Sequence, residues 1–176
     1  AVTVEELWDA CTNPERIPRW FLPVSGDLRL GGRYQLEGNA GGTITECEPP
    51  HRFAATWEFG EATTWIEVRV SHAGDGRARF ELEHVALIDI HWDEFGPGAV
   101  GIGWDLTFMG MALHMTSGGE PVDSAAVTAW TTSADGLEFM AASNEAWRDA
   151  DITSGTDPEV AGPAADRTLA AYTGER

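Results

Sequence analysis

The sequence predicts an α+β fold: short helices first, an antiparallel meander through the middle, and a long buried helix behind it. Three observations carry this expectation. Between Gly31 and His84, apolar residues recur with a period of two in short runs separated by Gly and Pro. Between Val100 and Met115 they recur at helical spacing in two adjacent stripes. Ahead of the meander, Thr3 and Asn13 each begin a helix signal.

Taken in order, Thr3-Val4-Glu5-Glu6 is a capping box, with a hydroxyl at the cap and a carboxylate three residues on. Val4, Leu7, Trp8 and Cys11 fall on one face of the helix that follows. Asn13-Pro14-Glu15 predicts a second helix that ends before Pro23, with Ile17, Trp20 and Phe21 on its apolar side. Five strands come next. Tyr34 and Leu36 alternate with polar neighbours; residues 38–42 turn; residues 43–48 form a short strand that Pro49-Pro50 stops. Phe53, Ala55, Trp57 and Phe59 alternate in the third strand, Ile66, Val68 and Val70 in the fourth, and Ala78, Phe80, Leu82 and His84 in the fifth. Such a meander has one dry and one wet face. Residues 86–98 read as a loop.

The stripe Val100, Trp104, Phe108, Met111 and Met115 lies beside a second one, Ile102, Leu106, Met109 and Leu113. Together they are wider than the apolar face of a surface helix, so this helix is expected to be buried along much of its circumference, against the dry face of the meander. His114 is expected on its wetter edge. From Pro121 the texture becomes Ala-rich, acidic and helical, with three helices expected at 122–132, 134–151 and 158–172. Trp130, Phe139, Met140 and Trp147 in this stretch call for burial against something. The expected organisation is one domain over 1–117 and an acidic helical extension over 118–176, packed on that domain or on a dimer partner.

Charge narrows the partners. Twenty-nine acids face eleven bases, every one an Arg, for a net charge of −18. The extension alone holds eleven acids and three Arg, a net −8. A field of this sign repels nucleic acid and anionic membrane surfaces. No apolar run approaches the roughly 18 residues of a membrane span. The chain opens at Ala1 with no basic-then-apolar leader visible. Cys11 and Cys47 each sit in a regular segment and form no disulfide framework, which suits the cytoplasm. Without a Lys there is no Walker-type nucleotide site, and the five His show no metal-ligand spacing, so neither cofactor nor metal is expected.

Several stretches resemble a known family. Val4-Glu5-Glu6-Leu7-Trp8-Asp9-Ala10-Cys11-Thr12-Asn13-Pro14-Glu15 with Arg19-Trp20-Phe21, then Asp27-Leu28-Arg29-Leu30-Gly31-Gly32-Arg33-Tyr34, Glu46-Cys47-Glu48-Pro49-Pro50-His51-Arg52-Phe53 with Trp57, and finally Gly103-Trp104, follow in the order seen in homologues of the activator of Hsp90 ATPase. That family has the START/Bet v 1-like helix-grip fold, in which a curved antiparallel sheet wraps a long C-terminal helix. The resemblance covers residues 2–116. Family members usually carry an edge strand before the first helix; this chain starts too late to supply it, so it is either trimmed or has an open sheet edge.

The resemblance implies a small hydrophobic or amphipathic ligand held in a cavity between sheet and helix. Tyr34, Phe53, Trp57, Phe80, His84, Trp104, Phe108, Met111 and Met115 are the expected lining, and aromatic walls with a few polar tips suit a ligand pocket. The same residues also describe a solid core. His84 is the candidate acid or base, or else a histidine hydrogen-bonded near a strand end. His91-Trp92-Asp93-Glu94 is either a lid over the cavity mouth or a solvated loop. The resemblance also leaves open a polyketide cyclase or dehydratase using the same pocket, and a chaperone-partner module. An open sheet edge makes a homodimer a further expectation.

Overall fold

The computed structural model describes residues 2–174. The chain divides into two compact units. One is built from the chain up to Ala86 together with Met111–Pro121; the other is built from Leu87–Gly110 and the chain from Val122 onward.

In the first unit, helix α1 spans Val4–Thr12, and both arms of the capping box form: Thr3 Oγ1 accepts from the Glu6 amide at 3.1 Å and Glu6 Oε2 from the Thr3 amide at 2.8 Å. Caps of this kind stabilise a helix by about 1 kcal/mol. Val4, Leu7, Ala10 and Cys11 are its buried residues. The second helix expected from Asn13 is corrected by the structure. Asn13 closes α1 through its own amide, and its side chain accepts from the Glu15 amide at 2.9 Å. Only a three-residue 3-10 turn, Ile17–Arg19, follows. Pro18 has no backbone N–H to give the Pro14 carbonyl and its ring crowds that carbonyl, which disfavours a regular helix here.

Six strands form one open antiparallel sheet in sequential order: β1 Val24–Gly26, β2 Arg33–Leu36, β3 Gly41–Glu48, β4 Arg52–Phe59, β5 Ala62–His72 and β6 Ala78–Val85. β1 is one more strand than expected, and its three residues are too short to show alternation. Register fixes the faces. Phe53, Ala55 and Trp57 lie opposite Val68, Ile66 and Thr64, and β5 in turn sets Val70, Val68 and Ile66 opposite Phe80, Leu82 and His84. The other face is charged. Glu67 takes Arg52 and Arg69, each at 2.6 Å, and Arg69 reaches Glu83 at 3.3 Å, so the cross-strand charges pair along diagonals and Arg69 also pairs along its own strand, although Arg52 lies opposite Arg69 and Glu67 opposite Glu83. These hydrogen bonds to Arg52 hold the Glu67 carboxyl below its ordinary range.

β3 contains a bulge. Ile44 pairs with Ala55, yet Glu46 pairs with the next residue of β4, Ala54, leaving Thr45 as an extra residue. The bulge keeps Ile44 buried while Glu46 stays exposed beside Arg52. Tyr34 is buried opposite Gly42 and donates its hydroxyl to the Thr56 carbonyl of β4 at 2.7 Å. Burial pushes that phenol well above its ordinary range. A Cβ on Gly42 would overlap the same carbonyl, so this crossing requires glycine.

α1 packs on β5 and β6, with the Trp8 ring edge-on to Phe53 at 6.0 Å. The Ala78 amide of β6 donates to the Val2 carbonyl at 2.8 Å.

The second unit is helical. Residues 86–98 are not wholly loop: Asp89 caps a short helix, α2 Ile90–Phe95, by accepting from the Trp92 amide at 2.9 Å. α3 spans Gly98–Thr116 and contributes its first part to this unit and its last part to the other. α4 Ser124–Thr131, α5 Ala134–Ser154 and α6 Pro158–Thr173 are capped by Asp123, Ser133 and Asp157. Gly101 of α3 sits against the Trp147 indole, where a Cβ would overlap the ring. Asp105 accepts from Ser143 at 2.6 Å and from Trp147 Nε1 at 3.0 Å, and Tyr172 donates to the Ala99 carbonyl at 2.9 Å. Trp130 meets Phe139 edge-on at 5.6 Å.

Candidate functional site

The inner face of the sheet gathers a polar pair within an aromatic setting. Trp57 on β4 lies opposite Thr64 on β5, and Ile66, two residues on, lies opposite His84 on β6. That diagonal brings the Thr64 hydroxyl to 2.7 Å from His84 Nε2 and 3.2 Å from the Trp57 carbonyl. The Trp57 and His84 rings are 6.1 Å apart at 62°. All three residues are partly buried. Burial lowers the His84 pKa below its ordinary value, which keeps the imidazole uncharged at neutral pH. A neutral imidazole can donate with one nitrogen and accept with the other, so the pair can orient a polar substituent or move a proton.

Among the expected lining residues, Trp57 and His84 are brought together. Phe53 and Phe80 share their face, Phe53 toward the α1 end. The Tyr34 hydroxyl is engaged by the Thr56 carbonyl. Met111 is buried, and Met115 Sδ lies 3.7 Å from Arg16 Nη2. Trp104 and Phe108 belong to the second unit, where their rings stack at 5.9 Å. Thr64 is a site residue beyond the expected lining. The signal for it was present, since it continues the period of Ile66, Val68 and Val70 one step earlier.

His114 is corrected from a wet edge to full burial, with no exposed surface. Its Nδ1 lies 2.8 Å from the Glu120 carbonyl, which can only accept, so the proton sits on Nδ1. Its Nε2 then accepts from Arg16 Nη2 at 3.3 Å. Arg16 also holds Asp9 at 2.9 Å, which keeps that carboxyl below its ordinary range. This network joins α1, the 3-10 turn and the end of α3. Cys11 is buried, and its thiol is pushed up to about 12, which removes it as a nucleophile. His91 is exposed on α2, with its ring 4.9 Å from Phe95. Among the described residues, no group of three His, Cys, Asp or Glu is placed to hold a metal ion, and no helix is long and apolar enough to cross a membrane.

Comparison with known proteins agrees with this architecture. The family model described as activator of Hsp90 ATPase homolog 1-like protein matches residues 1–142. The solution structure of CalU16 from Micromonospora echinospora is 32% identical, with a TM-score of 0.72 over 88% of this chain and 83% of that one. The crystal structure of CalU16 gives a TM-score of 0.66 at 32% identity, over 84% and 80% of the two chains. PFC0360w, an Hsp90 activator from Plasmodium falciparum, is 22% identical with a TM-score of 0.55, over 66% of this chain and 89% of that one, and shows the fold alone. A search of curated proteins finds no match. The architecture these structures share is the helix-grip fold of the Bet v 1-like superfamily.

Proposed function

The chain belongs to the family of activator of Hsp90 ATPase homolog 1-like proteins, and from that premise we propose that it binds a small hydrophobic or amphipathic molecule on the inner face of its sheet. The observation that carries this reading is the Trp57–Thr64–His84 group, a hydrogen-bonded but uncharged polar pair beside an indole on an otherwise apolar face. Aromatic walls with one polar anchor are the usual composition of a small-molecule site. Native mass spectrometry of detergent-free protein tests it. The reading expects a reproducible bound mass, or, for stripped protein, stabilisation by apolar compounds that weakens in Trp57→Leu and His84→Ala variants. A bare mass together with no stabilisation across a panel of such compounds would sink it.

A second reading, proton-transfer catalysis of the cyclase or dehydratase type, is favoured by one specific observation. His84 is kept neutral by burial and is held by Thr64, as a general base would need to be. Turnover of a bound molecule that His84→Gln abolishes without loss of binding would separate catalysis from simple carriage. A cytoplasmic location belongs to the same proposal and is supported by two free cysteines. So does a homodimer, for which Trp65 and Val85, exposed and opposite one another on the outer face, offer an apolar contact. Light scattering on the purified protein tests the homodimer.

A further inference from the structure

We propose that the molecule held on the inner face is an uncharged aromatic compound, and not a carboxylate, a fatty acid or a phospholipid; this rests on the site reading given above. The ground is a strict separation of charge by register. In β2 through β6, each Arg, Asp and Glu occupies an outward position, and the inward positions hold none. The cations of these strands are committed on the outer face: Arg33 to Glu58, Arg52 and Arg69 to Glu67, and Arg79 to Glu81. Arg16, beside α3, is committed to Asp9 and His114. The chain has no Lys to supply another cation.

An anionic head group on the inner face would therefore lose its hydration with no guanidinium or ammonium to replace it. A net charge of −18 adds a further penalty for any anion. A cationic ligand gains from that field at long range but meets no carboxylate on the same face. His72 closes the inward set at the far end of β5 and the Tyr34 hydroxyl is taken by the Thr56 carbonyl, so beside Trp57 the polarity comes from Thr64 and His84, both uncharged. Hydroxyl, phenol and carbonyl substituents match that pair, and the Trp57 ring beside it matches an aromatic body.

The test uses isosteric probes at pH 7.5: 2-naphthol, 2-naphthoate and 2-naphthylmethylammonium, with decanol and decanoate as an aliphatic pair. Binding is read by calorimetry to wild type, Trp57→Leu and His84→Gln, each checked for native circular dichroism. The expected result is that 2-naphthol binds at least about tenfold tighter than either ion, a difference equal to one pKa unit of differential interaction. Both variants are expected to weaken that binding. If naphthoate or decanoate binds as tightly as its neutral partner, and the variants weaken it, the site stands and the charge inference is overturned. If no probe binds, or the variants change nothing, the site reading itself fails and takes the inference with it.

Discussion

Replacing His114 with Leu tests whether the buried Arg16–His114 contact holds the first unit together. The substitution keeps similar bulk but removes both polar ring atoms. The Nδ1–H bond to the Glu120 carbonyl at 2.8 Å is a neutral pair worth about 1 kcal/mol net. The bond from Arg16 Nη2 to Nε2 at 3.3 Å comes from a charged donor, a class worth about 1.5–3 kcal/mol. The lower end applies, because the contact is long and Arg16 keeps Asp9 at 2.9 Å. The sum is a loss of about 2–3 kcal/mol, or a fall in Tm of about 4–12 °C for a chain of this size. Urea unfolding followed by near-ultraviolet circular dichroism, with thermal scans in parallel, gives the number. His114→Asn keeps a donor where Nδ1 stands and is expected to recover about half of the loss. Arg16→Met combined with His114→Leu closes a double-mutant cycle, with a coupling of at least about 0.5 kcal/mol expected for groups in contact. A loss below about 1 kcal/mol in His114→Leu, or a coupling indistinguishable from zero, would refute the network as a structural tie.

Two further predictions follow from the sheet. Gly42→Ala places a methyl group against the Thr56 carbonyl and is expected to cost at least about 2–3 kcal/mol, whereas Gly38→Ala meets no atom and costs about 1 kcal/mol for its positive φ; solubility and melting of the two variants side by side check the order. Because burial lowers the folded pKa of His84, the unfolded chain binds the proton more readily, so this group's contribution is complete above the ordinary histidine pKa and is lost as the pH falls through the lowered value. His84→Gln is expected to flatten the stability–pH profile below about pH 6.5, and an unchanged slope would count against the assignment.

Much of the fold was legible because period and punctuation are local. Thr3 and Glu6 announce α1, and the alternation of Phe53 to Trp57 and of Ile66 to Val70 places β4 and β5 with the correct faces. The sequence misled where tertiary partners decide. Asn13-Pro14 carries cap residues but serves as the end of one helix, and with Pro18 disfavouring the next only a 3-10 turn follows. His114 sits between Leu113 and Met115, and nothing in that spacing reveals that a backbone carbonyl and an arginine about a hundred residues upstream wait for its two nitrogens. Of the candidate site, the aromatic members and His84 could be read from alternation. Thr64 continues that alternation, but its pairing with His84 depends on the diagonal between β5 and β6, which only register supplies.

The bulge in β3 separates two properties that strands usually carry together. Deleting Thr45 would leave Ile44 inward and Glu46 outward, since a regular strand one residue shorter has the same alternation. The pattern of wet and dry positions therefore does not need Thr45. What the surplus residue supplies is shape: a local bend and added twist at the strand's middle. Two sequences differing by one residue would share the same hydrophobic code and the same charge ladder, yet differ in the bend and twist of the strand that carries them. In this sheet the course of β3 is written as a count of residues, independently of the chemistry of its side chains.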